Sequence, residues 1–239
     1  MKDLGKALFL IIGLGLASCS PVYYKPNTHN VPLISQKGET NLTVSGNPDL
    51  VEFQGAYGVL ENFAVKADGA MFISRYTSNK DGGSGKLLEI GATYFMPFKY
   101  GFVFDTYGIF GFGSMENHFP STREPDLPNK GDITANFLRI GLQPSFGFKS
   151  KYFSAAFSIR IVRLSYHNIQ GDLVFDHVNQ IDYLKSNSSN ILIEPALTLR
   201  GGLEKIKFQV QVGHSQNASN PNFKQETSFL TFGLNFNFL

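Results

Sequence analysis

Over most of its length the chain alternates apolar and polar residues with a period of two. Near the C-terminus Leu230, Phe232, Leu234, Phe236 and Phe238 share one parity, and Thr231, Gly233, Asn235 and Asn237 share the other. A strand sends such sets to opposite faces, whereas a helix scatters both. The same division separates Leu138, Ile140, Leu142, Phe146 and Phe148 from Arg139, Gly141, Gln143, Ser145 and Gly147, with Pro144 marking a local bulge. It returns in Ile206, Phe208, Val210 and Val212 against Lys207, Gln209, Gln211 and Gly213. The pattern predicts ten strands, over 39–46, 50–59, 63–75, 86–97, 101–115, 132–148, 152–167, 190–200, 204–215 and 225–239. The first is the weakest. Without it, or with different pairing around 47–49, the number falls to eight.

The connections alternate in length. Leu60-Glu61-Asn62, Phe98-Lys99-Tyr100, Lys149-Ser150-Lys151 and Gly201-Gly202-Leu203 are tight, whereas 76–85, 116–131, 168–189 and 216–224 are long and polar. Short turns on one side and long loops on the other are the pattern of an outer-membrane barrel. An even strand number places both ends of the barrel on the short-turn side, expected to be periplasmic, with the long loops extracellular. Most of the predicted strands also exceed the five or six residues usual in soluble sheets and suffice for a tilted bilayer crossing.

The faces decide between a membrane barrel and a soluble one. The polar parity carries Glu52, Lys66, Asp68, Glu89, Asp105, Arg139, Arg160, Glu194, Arg200 and Lys207, equal in acids and bases. The apolar parity carries Phe102, Phe104, Phe110, Phe112, Phe146, Phe148, Phe157, Phe232, Phe236 and Phe238, too many large rings for the interior of a barrel of this size. The expectation is therefore an all-β, antiparallel transmembrane barrel with its rings toward lipid. A soluble, lipocalin-like lipoprotein binding an apolar ligand is the alternative. Balanced charge inside predicts a bridged, largely filled lumen; a small-solute channel, better served by an excess of one sign, is the other reading.

Composition agrees. The chain has 23 Phe, 24 Gly and no Trp, and 42% of its residues are apolar. No stretch beyond the first 18 residues approaches the length of a transmembrane helix. Lys2 and Lys6 precede an apolar run from Ala7 to Leu16 and the tetrapeptide Leu16-Ala17-Ser18-Cys19. This resembles the signal of bacterial lipoproteins. The resemblance implies cleavage before Cys19, a thioether-linked diacylglycerol on it and acylation of the new amine. Cys19 is the only cysteine, which excludes an internal disulfide. An ordinary signal peptide with an incidental cysteine is the competing reading. The domains are then a signal peptide (1–18), an extended lipid-anchored periplasmic tether (19–38) containing Pro21, Pro26 and Pro32, and the barrel (39–239).

The body resembles the small outer-membrane β-barrel family of Gram-negative bacteria. The resemblance rests on the aromatic-rich final segment Ser228 to Leu239 and on the hairpin Gln54-Gly55-Ala56-Tyr57-Gly58-Val59-Leu60-Glu61-Asn62-Phe63-Ala64-Val65. It implies recognition of the last strand by the barrel-assembly machinery. In the family that strand commonly ends on an aromatic residue; here it ends Phe238-Leu239, shifted by one. The partners expected are outer-membrane lipids and, during biogenesis, the assembly machinery, with an outer-membrane protein complex as a further candidate.

Little in the sequence points to catalysis. Ser165 and His167 lie two apart on one strand face, a geometry that suits a serine–base pair, and His214 precedes Ser215 directly. The phospholipase order of His, one residue, then Ser-Asn-Gly is absent. The expectation is no enzyme, with a lipid hydrolase or acyltransferase as the alternative. Asp172, Asp176, His177 and Asp182 do not have EF-hand spacing and read as a solvated loop, so neither metal nor cofactor is expected. Loop 116–131, with Pro120, Pro125 and Pro128, reads as stiff, and the tract 185–190 as flexible. Without residues 1–18 the balance of 21 basic and 19 acidic residues becomes 19 and 18, which gives no case for nucleic acid. The function expected is a structural or interaction component of the outer membrane.

Overall fold

The computed structural model describes residues 20–73, 81–120 and 129–239. Ten long strands form a closed antiparallel barrel: β1 (Thr40–Asn47), β2 (Leu50–Leu60), β3 (Phe63–Phe72), β4 (Gly82–Pro97), β5 (Phe102–Phe119), β6 (Gly131–Lys149), β7 (Phe153–Gly171), β8 (Ser189–Gly202), β9 (Ile206–His214) and β10 (Ser228–Phe238). Each pairs with its chain neighbour, and β1 closes on β10 with Thr40 opposite Phe238 and Gly46 opposite Phe232. Closure leaves no free edge, so backbone groups in the wall are paired. The ten-strand reading holds, including the short β1.

The period of two decides the faces. Phe53, Leu88, Ile90, Phe110, Phe112, Ile140, Leu142, Phe146, Phe157, Phe208 and Phe232 point outward and are exposed. A belt of this kind around the whole wall has no stable place in water. At the short-turn rim it is bordered by exposed Tyr57, Tyr94, Tyr100 and Tyr152, in the position of an interfacial aromatic girdle. Phe110, 45% exposed in mid-strand, gives a direct test. Phe110→Arg is expected to cost about 2–4 kcal/mol of folding free energy in a bilayer. Refolding into vesicles across a urea series measures it, and an unchanged midpoint would place this face elsewhere than in lipid.

The largest departure from expectation concerns the N-terminal segment. Barrel strand ends Thr40 and Phe238 do lie together at the short-turn end, but residues 21–35 are not a periplasmic tether. They run through the lumen, with Tyr23, Tyr24, Asn27, Thr28, His29, Asn30, Val31, Leu33 and Ile34 all buried. Ser20 and Val22 stand at the long-loop end, where Asn117 brackets Val22 by accepting from its N–H and donating to its carbonyl (3.2 and 3.0 Å). At the other end Gly38 and Gly58 are bonded backbone to backbone, and Glu39 reaches Lys149. About ten extended residues suffice to cross a ~30 Å hydrocarbon core, so this segment spans the barrel. Its physical reason is its composition: Tyr23, Tyr24, Val31, Leu33 and Ile34 are too apolar for a solvated linker, and its amides match the polar lumen.

Small residues on the inner face make the passage. A Cβ on Gly58 would stand 2.3 Å from the Gln36 carbonyl oxygen, and one on Gly147 would stand 2.7 Å from Leu33 Cδ2. Gly58→Ala is therefore expected to destabilise by about 1–3 kcal/mol through overpacking. Gly69→Ala, where an added Cβ meets nothing within 4 Å, serves as the control in the same urea titration, and equal midpoints for Gly58→Ala and the parent chain would contradict the close approach.

The long loop after β7 is also more ordered than expected. It contains a small hairpin, Val174–Phe175 with Val178–Asn179, and a short helix α1 (Gln180–Ser186) capped by the Asn179 side chain. Leu173, Phe175 and Leu184 are buried against Ile133, Phe119 and Phe223, so the loop folds over the mouth. The tract 185–190, read as flexible, is tied by a ladder of amides: Asn220 donates to Asn187 (2.7 Å), Asn190 to the Asn187 carbonyl (2.8 Å) and Asn217 to Asn190 (2.8 Å). Composition could not show this, because Asn187 and Asn190 find partners in Asn220 and Asn217 of another loop.

Candidate functional site: the occupied lumen

The lumen is layered. At the long-loop end Tyr23 and Tyr24 join an apolar cluster with Leu87, Met115, Phe137, Leu164, Tyr166 and Leu192. At the short-turn end Val31 and Leu33 pack on Val103 and Ala156, and Ile34 packs on Ala56, Ala64 and Phe95. Between them lies a polar layer holding residues 27–30.

All ten charged residues assigned to the polar parity are buried in the lumen. Six join in one chain of contacts whose signs alternate. Lys66 Nζ lies 3.7 Å from Asp68 Oδ2 and 3.8 Å from Glu89 Oε1, Arg139 Nη2 lies 3.4 Å from Glu89 Oε2 and 4.0 Å from Glu194 Oε2, and Arg160 Nε donates to Glu194 Oε2 at 2.6 Å. Register explains the reach. Asp68 sits opposite Glu89, Arg160 opposite Glu194, and Gly111 opposite both Glu89 and Arg139, leaving the space across β5 open for those two to meet. The other four take neutral partners: Glu52 binds Asn27 and Thr28, Asp105 binds Ser145, Arg200 donates to Gln209 (2.7 Å), and Lys207 donates to the Glu204 carbonyl (3.0 Å).

What the charge pattern did not reveal is that the lumen grips a peptide. Four successive carbonyls of the segment each accept from a different strand: Asn27 O from Arg160 Nη2 (3.0 Å), Thr28 O from Gln54 Nε2 (3.0 Å), His29 O from Gln211 Nε2 (3.0 Å) and Asn30 O from Gln143 Nε2 (2.8 Å). Two amide N–H groups are also held, Thr28 by Glu52 Oε2 (3.1 Å) and His29 by Gln211 Oε1 (2.6 Å). Side chains of the segment answer in kind. Asn27 accepts from Arg139 Nη1 (2.9 Å) and donates to Glu52, Asn30 donates to Asp68 (2.6 Å), and the Tyr24 hydroxyl donates to Glu194 Oε1 (2.8 Å). An extended peptide in an apolar bore would leave these groups unpaired, at roughly 1–3 kcal/mol each. The inward glutamines, Gln54, Gln143 and Gln211 among them, were the available signal, since one amide side chain can serve a backbone N–H and C=O together.

The serine and histidine candidates do not assemble. Ser165 and His167 lie on the outward face with Arg163, while His214 points outward and Ser215 is buried, accepting from Gln225. The contact the fold does make is His29 Nδ1 with Ser158 Oγ at 2.8 Å, both fully buried, and His29 Nε2 has no partner among the described residues. Both groups lie inside the occupied lumen. Among the described residues no three His, Cys, Asp or Glu side chains are grouped to hold a metal; Asp172 instead accepts from the Asp132 N–H. Cys19 lies outside the described residues.

A cavity of about 1000 Å³ lies at the long-loop mouth. Ser20 to Lys25 form one side of it, and Phe72, Leu87, Met115, Phe137 and Phe229 give it an apolar wall. On its rim Lys25 pairs with Glu226 (2.8 Å), and Lys224 lies over the rings of Phe175 and Tyr183. Burial there pulls the Lys224 ammonium below the usual lysine range.

No family model and no curated protein matches the sequence. Among solved structures, the outer membrane protease OmpT from Escherichia coli is similar with a TM-score of 0.52 and 9% identity, over 84% of this chain and 93% of that one. The translocator domain of the autotransporter NalP from Neisseria meningitidis is matched with a TM-score of 0.45 and 10% identity, over 98% and 95% of the two chains. A KdgM porin in complex with disordered oligogalacturonate follows at 0.35 and 9%, over 84% and 99%. The chain has the fold of the outer-membrane β-barrels, in a ten-stranded form.

Proposed function

We propose that this protein is a closed, non-catalytic outer-membrane barrel, sealed by its own N-terminal segment, that presents its ordered loops at the cell surface as a structural or interaction component. The single observation carrying the reading is the run of four carbonyls, Asn27 to Asn30, each bonded by a different strand. A conducting pore needs a continuous wet path, and the apolar layers above and below this run interrupt one. Four strands of the barrel thus serve a peptide where a channel would serve water. The long loops are taken as extracellular from the turn-length asymmetry, and Cys19 as lipid-modified from its lipobox.

Planar-bilayer recording of the intact chain tests the seal, with no discrete conductance steps expected. Regular single-channel steps in the intact protein would overturn the reading in favour of a small-solute channel. Incubation with defined phospholipid vesicles tests the absence of catalysis, and released fatty acid or lysolipid that tracks the purified barrel would overturn it.

A further inference from the structure

The wall of the barrel is not of even height. β4 to β7 run 16 to 19 residues, whereas β1 has 8 and turns into β2 through Pro48 and Asp49. On β10, residues 228–231 pair with β9, Ser228 with His214 through Thr231 with Gln211, but reach beyond the last β1 partner, Gly46 opposite Phe232. A notch therefore stands above the β1–β2 hairpin among the described residues. The mouth cavity continues into it. Its lining includes the inward Phe137 and Phe229, the hairpin residues Asn47 and Asp49, and Leu230 and Val212, which face outward with the lipid-facing belt.

The chain enters the barrel at this place. Ser20, the first described residue, lines the cavity, and Cys19 is its immediate neighbour in the chain. Between Val22 and Glu39 the segment is committed to the lumen, so nothing attached at Cys19 can reach the short-turn end without unthreading it. A diacylglycerol left in water is strongly unfavourable, because every methylene of its chains is exposed. Among the described residues, an apolar cavity at the upper end of the ~300–1000 Å³ range of small-molecule sites lies beside Ser20 and extends to the outward-facing Val212 and Leu230.

We propose that the acyl chains attached to Cys19 enter the mouth cavity and leave through the notch above the β1–β2 hairpin, anchoring the protein in the leaflet on the long-loop side. This rests on the lipoprotein reading of Cys19 and, for the name of that leaflet, on the long loops being extracellular; the anchor is then in the outer leaflet, opposite to the periplasmic attachment that strand parity alone suggests.

The test is photo-cross-linking in the full-length protein, expressed in a bacterium that processes lipoproteins, with a benzophenone amino acid at Leu230 beside the notch or at Phe102 on the lipid-facing wall at the short-turn end. Mass spectrometry of the N-terminal peptide first reads whether Cys19 is acylated. The acylated peptide is expected to be captured from Leu230 in roughly tenfold or greater excess over Phe102, since tethering raises its local concentration there. Capture from Phe102 and not Leu230, or no capture from either beside capture of bulk phospholipid, overturns the proposal while leaving the lipoprotein reading intact. An unmodified Cys19 overturns both. Because Cys19 is the only cysteine, an acylated protein with Lys185→Cys or Lys151→Cys carries one free thiol. Membrane-impermeant maleimide should label Lys185→Cys on intact cells and Lys151→Cys only after lysis. The reverse result overturns the orientation, and with it the outer leaflet, without touching the route through the notch.

Discussion

Arg160→Ala is expected to destabilise the folded barrel by about 3–5 kcal/mol, the largest single-residue effect in the lumen. Arg160 joins three elements at once. Its Nε donates to Glu194 on the adjacent β8, and its Nη2 holds the Asn27 carbonyl of the threaded segment. Removing it leaves Glu194 buried with Tyr24 and with Arg139 at 4.0 Å, too distant to replace a 2.6 Å charge-assisted bond. Arg160→Lys should recover only part of the loss, because one ammonium cannot reproduce the planar fork that serves both acceptors. Equilibrium urea unfolding in vesicles reads the difference. A shift of less than about 1 kcal/mol, the scale of an exposed pair, would show that Glu194 and Asn27 find other partners and that the network is not a unit.

The second large effect is on permeability. A chain refolded from Gly38 onward, lacking the threaded segment, should show discrete conductance steps where the intact chain shows none. Its bore would be lined by the groups the segment now covers, among them Glu52, Asp68, Arg139, Arg160 and Gln211. Charged and amide side chains of both signs would then hydrate in place of the peptide. Adding a synthetic peptide of residues 20–37 should close the steps again, and the same peptide with Asn27→Ala should do so less well. If the truncated barrel folds, as judged by heat-modifiable migration, and stays silent, the lumen is filled by the wall itself. The segment would then be an occupant rather than a seal.

These expectations show where the linear sequence was sufficient. Strand identity and facing follow from parity, because one residue of slip would turn every outward Phe of β5 or β10 inward. So Phe110, Phe232 and their companions, and the ten luminal charges, could be assigned residue by residue. Pairing was less legible. That Glu89 meets Arg139 depends on Gly111 between them, and that Arg160 meets Glu194 depends on the β7–β8 register. Four of the ten charges, Glu52, Asp105, Arg200 and Lys207, take neutral partners, which a balance of signs could not have shown.

By itself, the sequence determined the barrel: ten strands, the lipid-facing belt, the polar interior and the alternation of short and long connections, since each follows from a local period of two and from local turn residues. Only the tertiary structure decided what fills that interior. Residues 20–37 have no period, their prolines favour extension in water or in a bore alike, and their partners Gln54, Gln143, Arg160 and Gln211 lie on four different strands. A hydrogen bond between a peptide and a closed wall has no signature along the chain. It exists only once the wall has closed around the segment, and it carries Ser20 to the end of the barrel opposite the one where Thr40 begins the first strand.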